Sequence, residues 1–115
     1  MVAPIRTLPG FGVAHVTLEA VIISCDEGYA SFLGITREDA VGRRVADFTD
    51  DVGGGSPDAM NSILVRTGEP MSVRRTYVQP DGAKVPCIVQ LCLIRDAQGL
   101  PHSIVGVAQL VSSAP

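Results

Sequence analysis

The sequence predicts an α+β domain in which an antiparallel sheet carries a group of short helices contributed by the middle of the chain. Three observations predict it. Two short apolar runs, Val13 to Glu19 and Val21 to Cys25, come first. A section of closely spaced helix caps and stops follows, as far as Gly68. Beyond Pro70 the apolar period changes from helical to alternating, over three long runs joined by glycine-bearing turns. With 115 residues, 46% hydrophobic and 18% charged, the chain has the size and composition of one folded domain with its own core.

Each element has a local cause. Residues 1–12 hold two prolines and two glycines that would interrupt a long helix, so they read as a leader. The first two strands form a hairpin about Glu19-Ala20, although that dipeptide is not favoured turn chemistry. Asp26 caps a first helix whose Tyr29, Phe32 and Leu33 repeat at i, i+3 and i+4, and Gly34 ends it in the left-handed conformation. Thr36 with Asp39 resembles a capping box for a second helix, closed by Gly42. A short turn at Val45 to Phe48 precedes TDDVGGGSPD, which has the composition of a surface loop. Ser56 caps a third helix with Pro57 at its first position; Met60, Ile63, Leu64 and Thr67 lie along one face until Gly68 stops it. The extended runs are Met71 to Gln79, Lys84 to Arg95 and Leu100 to Ser112, joined through Pro80-Asp81-Gly82-Ala83 and Asp96-Ala97-Gln98-Gly99.

Charge and cysteine content remove several function classes. The net charge is −3, and the basic residues are scattered apart from the pairs Arg43-Arg44 and Arg74-Arg75, so no electrostatic footprint for nucleic acid exists. The charge-poor stretches around Val13 to Cys25 and Val85 to Ile94 are too short to span a bilayer, and MVAPIRTLPGFG lacks the features of a signal peptide. A cytoplasmic location is the expectation, unless the chain is a piece of a larger membrane protein. Cys25, Cys87 and Cys92 make an odd count without paired metal-ligand spacing, and His15 and His102 are far apart. No metal site or disulfide framework is expected, and the cysteines read as small buried hydrophobes.

The segments VIISCD, EGYASFLG, ITREDAVG, QPDGAKVPC and RDAQGLPHSIVGVAQLV, in this order and spacing, resemble the PAS domain, a sensory and interaction module of bacterial kinases and cyclases. The resemblance covers about residues 13–112, leaving 1–12 as leader and 113–115 as a tail. Asp26 stands where many members have Asn, and both residues cap helices. The resemblance implies a five-stranded antiparallel sheet in the order 2-1-5-4-3 with the helices over one face. It also implies that haem, flavin or a small metabolite could sit between the sheet and the third helix. DAMNSILVRTG has no histidine to serve as the usual haem ligand, leaving only His102 or Cys25 as unusual ones, and RRVADFTDD lacks the cysteine of flavin-binding light sensors; the cofactor is left unassigned.

Candidate site residues follow from alternation. Val85, Cys87, Val89, Leu91 and Leu93 share one face of their strand. With Met71, Val73 and Tyr77 of the preceding strand and Met60, Ile63 and Leu64 of the third helix, they either fill the core or line a cavity for a small apolar or aromatic ligand, and a filled core is the simpler reading. Arg75 shares the alternation of Val73 and Tyr77. It either offers its guanidinium to a ligand carboxylate or acidic side chain, or, more commonly for arginine, reaches water along its aliphatic stem. Tyr77 has the same choice between packing and ligand contact, and Tyr29 and Cys25 stand where the helices begin, near the mouth of any pocket. A thiol-dependent enzyme is disfavoured, because Asp26 and Glu27 beside Cys25 raise its pKa, and proximity to His15 alone makes no catalytic unit. Ile88, Cys92 and Ile94 lie on the opposite face, and the last strand is apolar on both faces except at Gln109, so something must cover that side: a second copy, a neighbouring domain, or the leader as irregular chain. The expected role is a non-catalytic signal-input or dimerisation module for an effector such as a histidine kinase, with a ligand-free structural dimeriser as the alternative.

Overall fold

The computed structural model describes residues 8–50 and 56–111. Strands β1 (Phe11–Val16) and β2 (Ile22–Cys25) pair antiparallel. The reversal between them runs over Thr17–Val21 and is wider than a hairpin at Glu19-Ala20. The Thr17 N–H donates to the Val21 carbonyl, the Ala20 N–H donates to the Thr17 carbonyl, and Thr17 Oγ1 accepts from the Val21 N–H. Ala20 takes φ +64°, an uncommon conformation for a residue with a side chain, and is fixed there by burial. β1 begins at Phe11, inside the stretch read as leader, because Phe11 and Gly12 pair with Gln109 and Ala108 of the last strand.

The helix caps form as their sequences require. Helix α1 (Glu27–Leu33) starts at Asp26, whose Oδ1 accepts from the Tyr29 N–H at 2.8 Å and from the Val13 N–H at 3.0 Å, tying the helix to β1. Gly34, at φ +75°, ends it. Helix α2 (Arg37–Ala40) is capped by Thr36, and a 3-10 helix spans Val45–Phe48. Helix α3 (Pro57–Thr67) begins at Ser56, whose hydroxyl accepts from the Ala59 N–H, and stops at Gly68.

Three long strands complete the sheet: β4 (Met71–Val78), β5 (Lys84–Arg95) and β6 (Pro101–Leu110), all antiparallel to their neighbours. The sheet has six strands where the sequence led to five. Thr49–Asp50, read as loop, is a short edge strand, β3, paired with Thr76 and Tyr77 of β4; the remainder of that expected loop, residues 51–55, lies outside the described residues. The order is β2-β1-β6-β5-β4-β3, which contains the expected five-strand order with β3 added at the edge.

All helices lie on one face. Phe32 and Leu33 of α1, Leu64 of α3, Val85, Cys87, Val89 and Leu91 of β5 and Ile104 of β6 are buried together, with Leu93 half-buried against them. α3 presents a different stripe from the one the apolar pattern suggests. Pro57, Asn61 and Leu64 are its buried positions, Met60 and Ile63 are half-buried, and Thr67 is exposed. The polar Asn61 inside the stripe hid the period. On the other face Phe11, Val13 and Cys92 are exposed and Ile88, Ile94, Val105 and Val107 half-buried, with no described element covering them. Residues 1–7 of the leader, Ser112 and the tail, 113–115, lie outside the described residues.

A candidate ligand cavity between sheet and third helix

β4 runs antiparallel to β5, so its residues alternate with the same inner face: Met71, Val73, Arg75 and Tyr77 stand opposite Leu91, Val89, Cys87 and Val85. This puts the Arg75 side chain under the helices. Its Nη2 is buried, and Arg75 lines a cavity of ≈ 20 Å³, the space of about one water molecule. The apolar walls come from Ala14 and Val16 of β1, Ala20, Val45, Pro57, Val89, Leu91 and Gly106; the polar contributions are Tyr29, Asn61, Arg75 and Tyr77. No carboxylate is among them. The Tyr29 and Tyr77 rings meet edge to face with centroids 5.4 Å apart, which fixes both phenols over the cavity.

Two buried polar atoms here, Arg75 Nη2 and Tyr77 Oη, lack a hydrogen bond of good geometry, although Tyr29 and Arg75 stand close enough to the Tyr77 hydroxyl to act on its proton as hydrogen-bond partners. Arg75 Nη2 and Tyr77 Oη are the two such side-chain atoms among the described residues. Burial raises the pKa of Tyr77 against the opposing pull of the Arg75 guanidinium, and burial raises that of Tyr29 further, reinforced by Tyr77. Both phenols therefore keep their protons at neutral pH, and Tyr77 remains a donor. Asn61 closes the cavity. Its Nδ2 donates to the Leu18 carbonyl at 3.3 Å, and its other side faces a surface groove of ≈ 510 Å³ formed with Leu18, Glu19, Arg44, Asp58, Ser62, Val65 and Arg66. Across that groove Arg44 pairs with Asp58 at 3.1 Å.

Cys25 lies elsewhere, in a separate surface depression with Ser24, Arg37, Glu38 and Val41. Partial burial raises its pKa, and Asp26 raises it further, so it stays a thiol at neutral pH. His15 stands opposite Ser24 in the register, and its Nε2 lies 2.7 Å from the Ser103 hydroxyl. Among the described residues no group of three or more His, Cys, Asp or Glu side chains could hold a metal ion.

A family model for the PAS fold matches residues 7–111. The chain belongs to the PAS family. Solved PAS structures share its architecture. The PAS domain of an HTR-like protein from Haloarcula marismortui aligns with a TM-score of 0.72 at 14% identity, over 88% of this chain and 81% of that one. The PAS-B domain of Drosophila melanogaster Cycle, solved with bound ethylene glycol, aligns with 0.73 at 8% identity, over 87% and 99%. A domain of a sensory box sensor histidine kinase/response regulator from Geobacter sulfurreducens aligns with 0.66 at 20% identity, over 86% and 82%. No curated protein sequence matches the chain.

Within this PAS domain, Tyr29, Arg75, Tyr77, Val89 and Leu91 meet at the cavity. Leu64 is fully buried in the core beside it, Met60 and Val73 pack half-buried against that core, and Ile63 is half-buried on α3. Sequence reasoning missed Asn61, Pro57 and Gly106, and also Ala14, Val16, Ala20 and Val45. The available signal for Asn61 was its spacing, four residues after the Pro57 that starts the helix and three before Leu64, which puts all three on one face. No helix among the described residues is long and apolar enough to cross a membrane.

Proposed function

We propose that this PAS domain is a signal-input and dimerisation module of a signal-transduction protein such as a histidine kinase or cyclase, non-catalytic by itself, which takes a small ligand between the sheet and α3. The observation that carries the ligand is that Arg75 and Tyr77, whose buried Nη2 and Oη lack a hydrogen bond of good geometry, line one cavity. Buried donors of this kind are nearly always satisfied, so they mark a place for something that accepts hydrogen bonds. A ligand held there favours one arrangement of α3, β4 and the helical side. That shift in population passes to whatever the sheet contacts. The derivation of one solved relative from a sensor histidine kinase, and of another from a protein holding a small diol, supports the reading.

The partner proposed for the outer face is a second copy of the chain. Phe11, 60% exposed, and Val13, 38% exposed, form with Ile88, Cys92, Ile94, Val105 and Val107 an apolar sheet surface of the kind that a two-fold contact buries. A ligand-free dimeriser is the second reading, favoured by the small volume of the cavity, ≈ 20 Å³.

Native mass spectrometry of freshly purified protein, with an absorption spectrum, tests both parts. The expected result is a dimer carrying a small additional mass. A dimer without added mass supports the second reading, and a ligand-free monomer at every accessible concentration overturns the proposal.

A further inference from the structure

We infer that the ligand is a monocarboxylate, its carboxylate held between Arg75 and Tyr77 and its short apolar body passing beneath Asn61 into the surface groove. This rests on the reading of the cavity as a ligand site. Charge decides the class. Arg75 Nη2 has no acceptor in good geometry, and the ion pairs of the described residues (Arg37 with Glu27, Arg44 with Asp58, Lys84 with Asp50) leave Arg75 out. Arg75 as a whole is half-buried, but its buried Nη2 donor calls for an acceptor, and an anion is the strongest one. The anion must satisfy a guanidinium N–H and a phenol O–H that meet in one small space, and the two oxygens of a single carboxylate do so, one for each donor. A phosphate would bring more charge and more oxygens than these two donors and their apolar surroundings can satisfy.

Size decides the rest of the molecule. The cavity as it stands has the space of about one water molecule, so a carboxylate enters it only as Asn61 moves aside. Asn61 belongs to the cavity and to the groove alike, and a single 3.3 Å bond to the Leu18 carbonyl holds its amide across the passage. Turning that amide joins the two spaces, and the groove offers Leu18 and Val65 to an apolar tail, with Arg44 already paired to Asp58. The bound molecule thus touches β4 at its head and α3 along its body, the two elements whose relative position would carry the signal.

Calorimetric titration of the full chain with straight-chain carboxylates from butyrate to octanoate, at constant ionic strength, against the matching primary amides tests the inference. The carboxylates are expected to bind at least about tenfold more tightly than the amides. Arg75→Met is expected to erase that preference while Arg75→Lys keeps part of it, and Tyr77→Phe to weaken the carboxylates alone. Equal affinity for amides and carboxylates, or a preference that survives in Arg75→Met, overturns the assignment of the anion yet leaves the cavity a ligand site. Failure of both series to bind folded protein, with water as the sole occupant, overturns the ligand site itself.

Discussion

Arg75 and Tyr77 carry opposite expectations for stability and for binding. In the absence of ligand, a buried guanidinium N–H and a buried phenol O–H without a hydrogen bond of good geometry cost free energy that an apolar replacement of similar shape does not. Arg75→Met and Tyr77→Phe are therefore expected to leave the unfolding free energy unchanged or to raise it by about 1 kcal/mol. Urea unfolding at neutral pH checks this, and a loss of more than about 1 kcal/mol in Tyr77→Phe would mean that its hydroxyl is paired. The direction of Arg75 was legible in the sequence, because the period of two along Val73, Arg75 and Tyr77 admits one answer. Its burial was not. Arginine at such a position usually reaches water, and here the side chain is half-buried with its Nη2 shut in, beside a cavity whose walls come from segments far apart in the chain.

At the scale of elements, the seam between β1 and α1 brings two backbones together at Gly12 and Gly28. A Cβ on Gly28 would strike the Phe11 carbonyl oxygen, and one on Gly12 would strike the Tyr29 backbone N–H. Backbone meets backbone there, so neither side can yield. Gly28→Ala gains up to about 1 kcal/mol of helix propensity but overpacks the seam, at a cost of about 1–3 kcal/mol, and the net expectation is a lower Tm. Asp26→Ala, which removes the acceptor shared by Tyr29 and Val13, is expected to lose about 1–2 kcal/mol, with Asp26→Asn losing less. Thermal unfolding of the three variants decides; a Gly28→Ala protein as stable as the parent would show that the seam has slack. The caps at Asp26, Thr36 and Ser56 and the stops at Gly34 and Gly68 could be read from the sequence, because each is decided within a few residues. β3 could not. Two residues have no strand pattern of their own, and Thr49–Asp50 is extended because the free edge of β4 at Thr76 and Tyr77 accepts it. The face of α3 was misread for a related reason, since Asn61 is buried for its bond to Leu18 and its place at the cavity, neither of which is an apolar signal.

For the molecule as a whole, the buried acids on the helical side of the sheet give the fold an alkaline limit. Cys87, under the helices on β5, is pushed by burial from 9.0 up to about 12, and burial also raises Tyr29 and Tyr77 from 10.0. Between pH 9 and 12 the unfolded chain gives up the Cys87 proton while the folded chain keeps it. The unfolded state then binds fewer protons, the slope of stability against pH is negative, and the contribution present in full below pH 9 is lost as pH rises through the window. The loss is up to about 1.4 kcal/mol per pH unit for Cys87, and the two phenols add to it above pH 10. Against a total of about 5–15 kcal/mol for a domain, this is enough to bring the unfolding midpoint down measurably. Urea midpoints measured at pH 8, 9.5 and 10.5 are expected to fall progressively. Cys87→Ala separates that thiol from the phenols: it starts from a lower stability at pH 8, because a buried side chain is shortened, but its curve is expected to stay flatter than the parent's up to about pH 10, with the residual slope there due to Cys25, whose pKa is also raised, and to bend further where the tyrosines begin to titrate. A parent curve that is flat from pH 8 to 10, or a Cys87→Ala curve parallel to it, would mean that Cys87 ionises in the folded protein almost as it does in water, and that the helical layer over β5 admits solvent.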